Sequence, residues 1–129
     1  MIAMLPLRKI NLVEIDGLVD REYPSVSVLD YTRQVAKWLK NKDYYAVVNE
    51  NGQAIGVMTL KDINNYPCMQ VIDCSFAKPY VEPGQTIFEA FDVMKAAKTD
   101  CLPVQQHGKF IGVISLAAIT EKLISVSRY

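Results

Sequence analysis

An eight-residue pattern that occurs twice limits what this chain can fold into. The first copy covers residues 56–63 and the second covers residues 112–119, 56 residues later. In each copy a glycine and apolar residues lead to a hydroxyl residue, Thr59 or Ser115. Apolar residues of this kind predict the end of a buried strand, and the hydroxyl residue suits the N-cap of the helix that follows.

The residues before the first copy predict a strand, a helix and a hairpin. Val26 and Val28 suit a short strand, and Asp30 is a good N-cap for the next helix. Its inner face is predicted from apolar residues at helical spacing, namely Tyr31, Val35, Trp38 and Leu39. Asn51-Gly52 predicts a type I′ hairpin turn, because both central residues of that turn need a positive φ.

The same order of elements returns in the second half. Tyr80-Val81 predicts a strand, Thr86 a helix cap, and His107-Gly108 a second hairpin turn. The predicted inner face of the intervening helix is Ile87, Phe88, Phe91 and Met94. Self-similarity over about 55 residues indicates two copies of one supersecondary unit, neither of which can bury its sheet alone.

The predicted division of the chain has four parts. Residues 1–22 form a leader helix, residues 23–65 the first repeat, residues 66–75 a linker and residues 76–129 the second repeat. No later segment is recognised as a counterpart of the leader. We expect it to dock on the first repeat or on a partner chain.

Composition argues against several classes of function. Fourteen basic residues balance fourteen acidic ones, so the net charge does not favour nucleic acid or an anionic membrane surface. No apolar stretch has the roughly 18 residues that a membrane helix needs. Three cysteines without ligand-like spacing suggest a reduced, cytoplasmic protein without a metal site, although Cys68 and Cys74 flank the linker and could be joined.

The twofold unit resembles the cystathionine-β-synthase (CBS) domain over roughly residues 23–129. The segments that carry the resemblance are Tyr45–Val48 and Gly52–Asp62 in the first copy, and Glu89-Ala90, Leu102–Val104 and Gly108–Ser115 in the second. The second copy matches best. The resemblance implies an α/β fold, an α+β sandwich-like arrangement of two tandem β-α-β-β-α repeats with pseudo-twofold symmetry. It also implies a Bateman-type module that commonly dimerises.

In proteins of this family the clefts between the two sheets often hold adenosine nucleotides or S-adenosylmethionine. By resemblance, Thr59 and Asp62 would contact phosphate and ribose, and Lys61 could add charge in the same helical turn. A helix N-terminus presents unpaired N–H groups to an anion, and a carboxylate accepts from ribose hydroxyls. The remaining predicted ligand-binding residues would border the base or lie close by: Tyr44, Tyr45, Lys78, Tyr80, Asp100 and Cys101.

Other interpretations remain open at this stage. Thr59 and Asp62 would also make a capping box without any ligand. Ala118 replaces the acid in the second copy, so we expect at most one good site, on the Asp62 side. Cys101 as a nucleophile lacks a nearby base, and the lone His107 belongs to a turn, so we expect no catalysis.

The sequence therefore predicts a stand-alone regulatory module that senses AMP, ADP, ATP or S-adenosylmethionine and requires no cofactor. The expected protein is a cytoplasmic homodimer that regulates another chain and binds neither nucleic acid nor membrane. The alternative is a ligand-free dimerisation scaffold.

Overall fold

The computed structural model describes residues 13–65 and 69–127, which form two compact units. The first unit spans Glu22–Lys78. The second unit combines the described residues up to Arg21 with those from Pro79 onward. The predicted boundaries between repeats and linker stay a prediction.

The first unit is a three-stranded sheet with two helices. Its elements in chain order are β1 (Ser25–Ser27), α1 (Thr32–Trp38), β2 (Tyr45–Val48), β3 (Ala54–Met58) and α2 (Leu60–Asn65). Strand β2 is central, parallel to β1 and antiparallel to β3. Apolar side chains of the sheet, α1 and the segment after α2 form its core, centred on Val35, Val47, Met58 and Val71.

The second unit repeats this order. It contains α3 (Ile87–Ala97), β4 (Cys101–Gln106), β5 (Lys109–Ser115) and α4 (Leu116–Ser127), with β4 antiparallel to β5. Val81 takes the place of β1, because it pairs in parallel with Val104 of β4. The predicted mixed α/β fold with two β-α-β-β-α units is thereby confirmed.

Local chemistry explains where helices α3 and α1 begin. Thr86 caps α3 as predicted, in a capping box in which its hydroxyl accepts from the Glu89 N–H and the Glu89 carboxylate accepts from the Thr86 N–H. The predicted cap Asp30 is wrong, because α1 begins after Tyr31 without a side-chain cap. The Asp30 carboxylate instead accepts from the Ser27 N–H at 2.8 Å and closes the preceding turn.

The two hairpins have different turns. Only Gly52 has a positive φ in the first loop (78°), where the Asn49 side chain accepts from the N–H groups of Asn51 and Gln53. The predicted type I′ turn at Asn51-Gly52 is therefore wrong. His107 (φ 54°) and Gly108 (φ 76°) both have the positive φ that a type I′ turn requires, so that turn belongs to the second hairpin.

The described part of the leader up to Arg21 lies in the second unit and is not an α-helix. It has a single 3₁₀ turn at Asp16–Leu18, and Ile15 is fully buried in the core of the second unit. The expectation that the leader docks on the first repeat or on a partner chain is wrong for these residues. Residues 1–12 of the predicted leader lie outside the described residues.

The leader also has a counterpart, contrary to the sequence analysis. Residues 69–76 have the same arrangement in the first unit, with a 3₁₀ turn at Val71–Asp73. Val71 is as fully buried as Ile15. We call residues 69–76 the first edge segment and residues 13–20 the second edge segment.

Each edge segment pairs with the last strand of its own unit. The Val57 N–H of β3 donates to the Phe76 carbonyl at 3.1 Å. In β5, Val113 and Asp20 exchange two backbone hydrogen bonds of 2.8 and 3.0 Å. The edge segments thus satisfy backbone groups at the outer edges of the two hairpins.

A glycine makes each of these pairings possible. A Cβ on Gly56 would overlap the Phe76 carbonyl oxygen, and a Cβ on Gly112 would lie 2.5 Å from the Asp20 carbonyl oxygen. Neither glycine has a positive φ, so the constraint is the close approach of a second backbone and not the turn geometry.

Two further expectations concern the cysteines and membrane helices. Cys74 is disulfide-bonded, so the expectation of reduced cysteines is wrong for this residue. Cys101 is a buried thiol, and Cys68 lies outside the described residues.

Within residues 13–65 and 69–127, no helix has the length and hydropathy needed to cross a bilayer.

We expect Gly56→Ala to destabilise the protein by about 2 kcal/mol or more, because the added methyl displaces the Phe76 backbone from β3. Urea unfolding measures the loss. Gly84→Ala is the matched control, since a Cβ there meets no atom within 4 Å. Equal stability of the two variants would show that the close approach at Gly56 is unimportant.

Candidate ligand site

The carboxylate of Asp62 is the centre of a compact polar cluster in the first unit. Its Oδ2 accepts two hydrogen bonds from Thr59, one from the backbone N–H at 2.9 Å and one from the hydroxyl at 3.0 Å. Its Oδ1 accepts from the Lys78 ammonium at 2.6 Å. Asp62 thus returns to the start of its own helix, as a capping box requires, and also holds a cation from a distant segment.

The ion pair between Asp62 and Lys78 is almost withdrawn from solvent. The side chains are 13% and 10% exposed respectively, and Lys78 Nζ also donates to the Ser75 carbonyl at 2.8 Å. An ammonium has three donors, so two of the three are accounted for by these oxygens.

The surrounding elements explain why these groups meet. Strand β3 ends at Met58, which pairs with Tyr45, the first residue of β2. Thr59 and Tyr44 therefore lie at the same end of the sheet. The first edge segment delivers Ser75 beside β3, and Lys78 follows it by three residues. The Trp38 and Tyr45 rings lie near this end of β2, with centroids 6.3 Å apart.

The corresponding part of the second unit has a different hydrogen-bond pattern. The Ser115 hydroxyl accepts from the Ala118 N–H at 3.2 Å, as an ordinary helix cap does. The Thr59 hydroxyl, by contrast, donates to Asp62. The hydroxyl thus donates in the first unit, which has Asp62, and accepts in the second unit, which has Ala118 at the corresponding position.

The structure distributes the predicted site residues between the two units. Thr59, Asp62 and Lys78 are joined by direct hydrogen bonds, and Lys61 is exposed on the first turn of α2. Tyr44 and Tyr45 lie at the start of β2, partly buried. Three predicted residues belong to the second unit: Tyr80, Asp100 and Cys101. The role of all nine as ligand-binding residues stays a prediction.

Within the second unit, Asp100 and Cys101 lie close to Ser115. Cys101 is buried and pairs with Ser115 across the β4–β5 hairpin, and the Asp100 carbonyl accepts from the Leu116 N–H at 2.7 Å. Tyr80 packs edge-on against Phe110, with ring centroids 6.3 Å apart. Partial burial raises the pKa of Tyr80 above its usual value of 10.0, because the phenolate would be desolvated.

Sequence reasoning missed Ser75, whose carbonyl orients Lys78. It placed Lys78 near the site but not in an ion pair with Asp62. The sequence feature that could have revealed Ser75 is the equivalence of residues 69–76 with residues 13–20. That equivalence places the first edge segment against β3.

The cluster has the chemistry of a site for hydroxyl and anionic groups. Two carboxylate oxygens can accept about four hydrogen bonds, of which Asp62 receives three from the described residues. One ligand hydroxyl can therefore donate to Asp62, and a ligand anion can bind to the ammonium next to it.

Comparisons with known proteins give one family and one fold. Residues 74–125 match the model of the CBS domain. No match is found among curated proteins.

Several solved structures are similar over most of the chain. A proposed signal-transduction protein with CBS domains from Burkholderia ambifaria MC40-6 is 24% identical, with a TM-score of 0.71, covering 81% of this chain and 85% of that one. The CBS domain of a bacterial CNNM/CorC family Mg²⁺ transporter in complex with ATP is 13% identical, with a TM-score of 0.75 and 94% of each chain covered. CBSX2 in complex with AMP is 15% identical, with a TM-score of 0.72, covering 90% of this chain and 99% of that one.

We expect Asp62→Ala to destabilise the protein by about 3 kcal/mol or more, because it leaves the nearly buried Lys78 ammonium without its carboxylate. Ser115→Ala, which removes an ordinary cap, should cost about 1 kcal/mol. Both losses are measured by urea unfolding. A cost for Asp62→Ala no larger than that for Ser115→Ala would contradict a stabilising ion pair.

Proposed function

We propose that this chain, which carries a CBS domain at residues 74–125 and has the fold of CBS-pair structures, is a regulatory module that binds an adenosine nucleotide. The observation that carries the proposal is the Thr59–Asp62–Lys78 cluster at the end of β3. We assign the ribose, through one hydroxyl, to Asp62 and the phosphate to its neighbours, including Thr59 and Lys61.

The ligand class is supported by the similar structures. Two of them are complexes, one with ATP and one with AMP. Within the first unit, Tyr44 and Tyr45 are proposed to contact or border the base. Tyrosine rings offer flat apolar surfaces against which a purine can pack.

The proposed mechanism is a population shift. A nucleotide that binds one conformation of the module more tightly than another favours that conformation, and a partner protein reads the difference. We place this activity in the cytoplasm, where adenine nucleotides are abundant, and assign the module no catalytic reaction.

We also propose that the module is a homodimer. Phe88 and Phe91 of α3, predicted on its inner face, are each 37% exposed, whereas Ile87, Ala90 and Met94 are buried. The two rings therefore lie on the outward side of α3. A second copy of this chain would remove them from water.

One observation favours the alternative of a ligand-free scaffold. Every bond that Asp62 makes in the structure is to another residue of the same unit, as in a purely structural ion pair. In that case the cluster would only hold the first edge segment in place, and dimerisation would be the function.

A thermal-shift experiment with AMP, ADP, ATP and S-adenosylmethionine tests the sensor. A ligand at about 100 times its Kd adds about 2.7 kcal/mol of stability and should raise Tm by several degrees. Asp62→Asn should weaken binding by about tenfold or more, because a hydrogen bond to a charged acceptor is worth roughly 1.5–3 kcal/mol. Asp73→Asn, an exposed acid in the same unit, is the matched control.

Equal responses of Asp62→Asn and Asp73→Asn would show that the site lies elsewhere. No response of the wild type to any of the four ligands would favour the scaffold.

Phe91→Glu should convert the dimer to a monomer, because a carboxylate would be buried against the partner copy. Light scattering after size-exclusion chromatography measures the mass. Met69→Glu alters an exposed apolar residue of the first unit and should leave the dimer intact. A wild-type monomer, or a dimer that survives Phe91→Glu, would contradict this interface.

A further inference from the structure

We infer that Lys78 makes the Asp62 site selective for nucleotides that carry phosphate, over adenosine and over S-adenosylmethionine. This inference rests on the proposed function. It narrows the ligand class and gives one residue the role of specificity determinant.

The first argument is the charge of the site. A lone aspartate would present a negative charge to the ligand and would favour cations. In this structure the Lys78 ammonium is 2.6 Å from Asp62 Oδ1, so the carboxylate is neutralised before any ligand arrives. The ion pair has no net charge, so a ligand sulfonium gains no net attraction from it.

The second argument is the hydrogen-bonding capacity of the ammonium. Its contacts with Asp62 and the Ser75 carbonyl use two of its three donors. With the ribose placed on Asp62, we assign the phosphate of the ligand to this third donor. A phosphate oxygen accepts from such a donor in a charge-assisted hydrogen bond, which the phosphate-free adenosine has no group to form.

The third argument is that the repeated fold does not need this ion pair. The positions that lie 56 residues before Lys78 and 56 residues after Asp62 are occupied by Glu22 and Ala118. The second unit nevertheless has a hairpin, an edge segment and a following helix in the corresponding places. Because withdrawal of two charges from water is costly, a nearly buried pair that the fold can omit points to ligand recognition.

Low surface exposure strengthens the effect of the charge. Both side chains are shielded, so counter-ions and water screen them less than they screen exposed groups such as Lys61. A preference for phosphate should therefore depend on Lys78 more than on any exposed lysine.

Isothermal titration calorimetry with adenosine, AMP, ATP and S-adenosylmethionine tests the inference. The wild type should bind AMP at least about tenfold more tightly than adenosine or S-adenosylmethionine. Lys78→Gln, whose amide can still donate to Asp62, should lose most of that preference, because its affinity for AMP should fall much more than its affinity for adenosine. Lys78→Arg should retain the preference, and Lys37→Met, which removes an exposed charge in the same unit, should not alter it.

A second measurement needs no variant and therefore does not depend on whether Lys78→Gln folds. In the wild type, AMP should still bind more tightly than adenosine when NaCl is raised from about 50 to 500 mM, since salt screens the shielded ammonium less than it screens an exposed lysine. Wild-type binding of adenosine or S-adenosylmethionine as tight as that of AMP would overturn the inference. So would a full AMP preference in Lys78→Gln.

The outcomes separate this inference from the proposed function. If nucleotides bind and the preference survives in Lys78→Gln, the sensor stands and only the role of Lys78 is wrong. If none of the four ligands binds the wild type, both proposals fail.

Discussion

The backbone hydrogen bonds between each edge segment and the last strand of its hairpin determine the rest of this structure. Phe76 on β3 and Asp20 on β5 are equivalent contacts, and both need a glycine on the strand. The hydrogen bond between Phe76 and Val57 holds the first edge segment against β3. As a result, Ser75 and Lys78 lie near the end of β3. The ion pair with Asp62 therefore depends on a contact between two backbones several residues away.

Short-range patterns explain what the sequence predicted correctly. Apolar periodicity and the repeated glycine place the strands, helices and hairpins in the right order, and Thr86 caps α3 through residues only three positions apart. The errors arise where a different local bond competes, as when Asp30 binds Ser27 instead of capping α1. The largest error, the leader, involves pairing between residues too distant for any local pattern to reveal.

The candidate site shows the same division. Contact between Thr59 and Asp62 follows from a spacing of three residues and was predicted. The ion pair with Lys78 joins residues 16 positions apart through an intervening turn, so spacing alone could not specify it. The comparison of Asp62 with Ala118 was available from sequence, but the reversal of the hydroxyl from donor to acceptor required coordinates.

The placement of the second edge segment has a consequence for biosynthesis. The first unit is contiguous, so it has all its parts once Lys78 has left the ribosome. The second unit needs residues 13–20 to pair with β5, which is synthesised only after the whole first unit. In an unfolded chain, closure of the loop from Asp20 to Val113, about five times as long as that from Val57 to Phe76, costs about 1.4 kcal/mol more. Translation therefore separates the two partners of this pairing in time, so the second unit has all its parts only after the first unit has been synthesised.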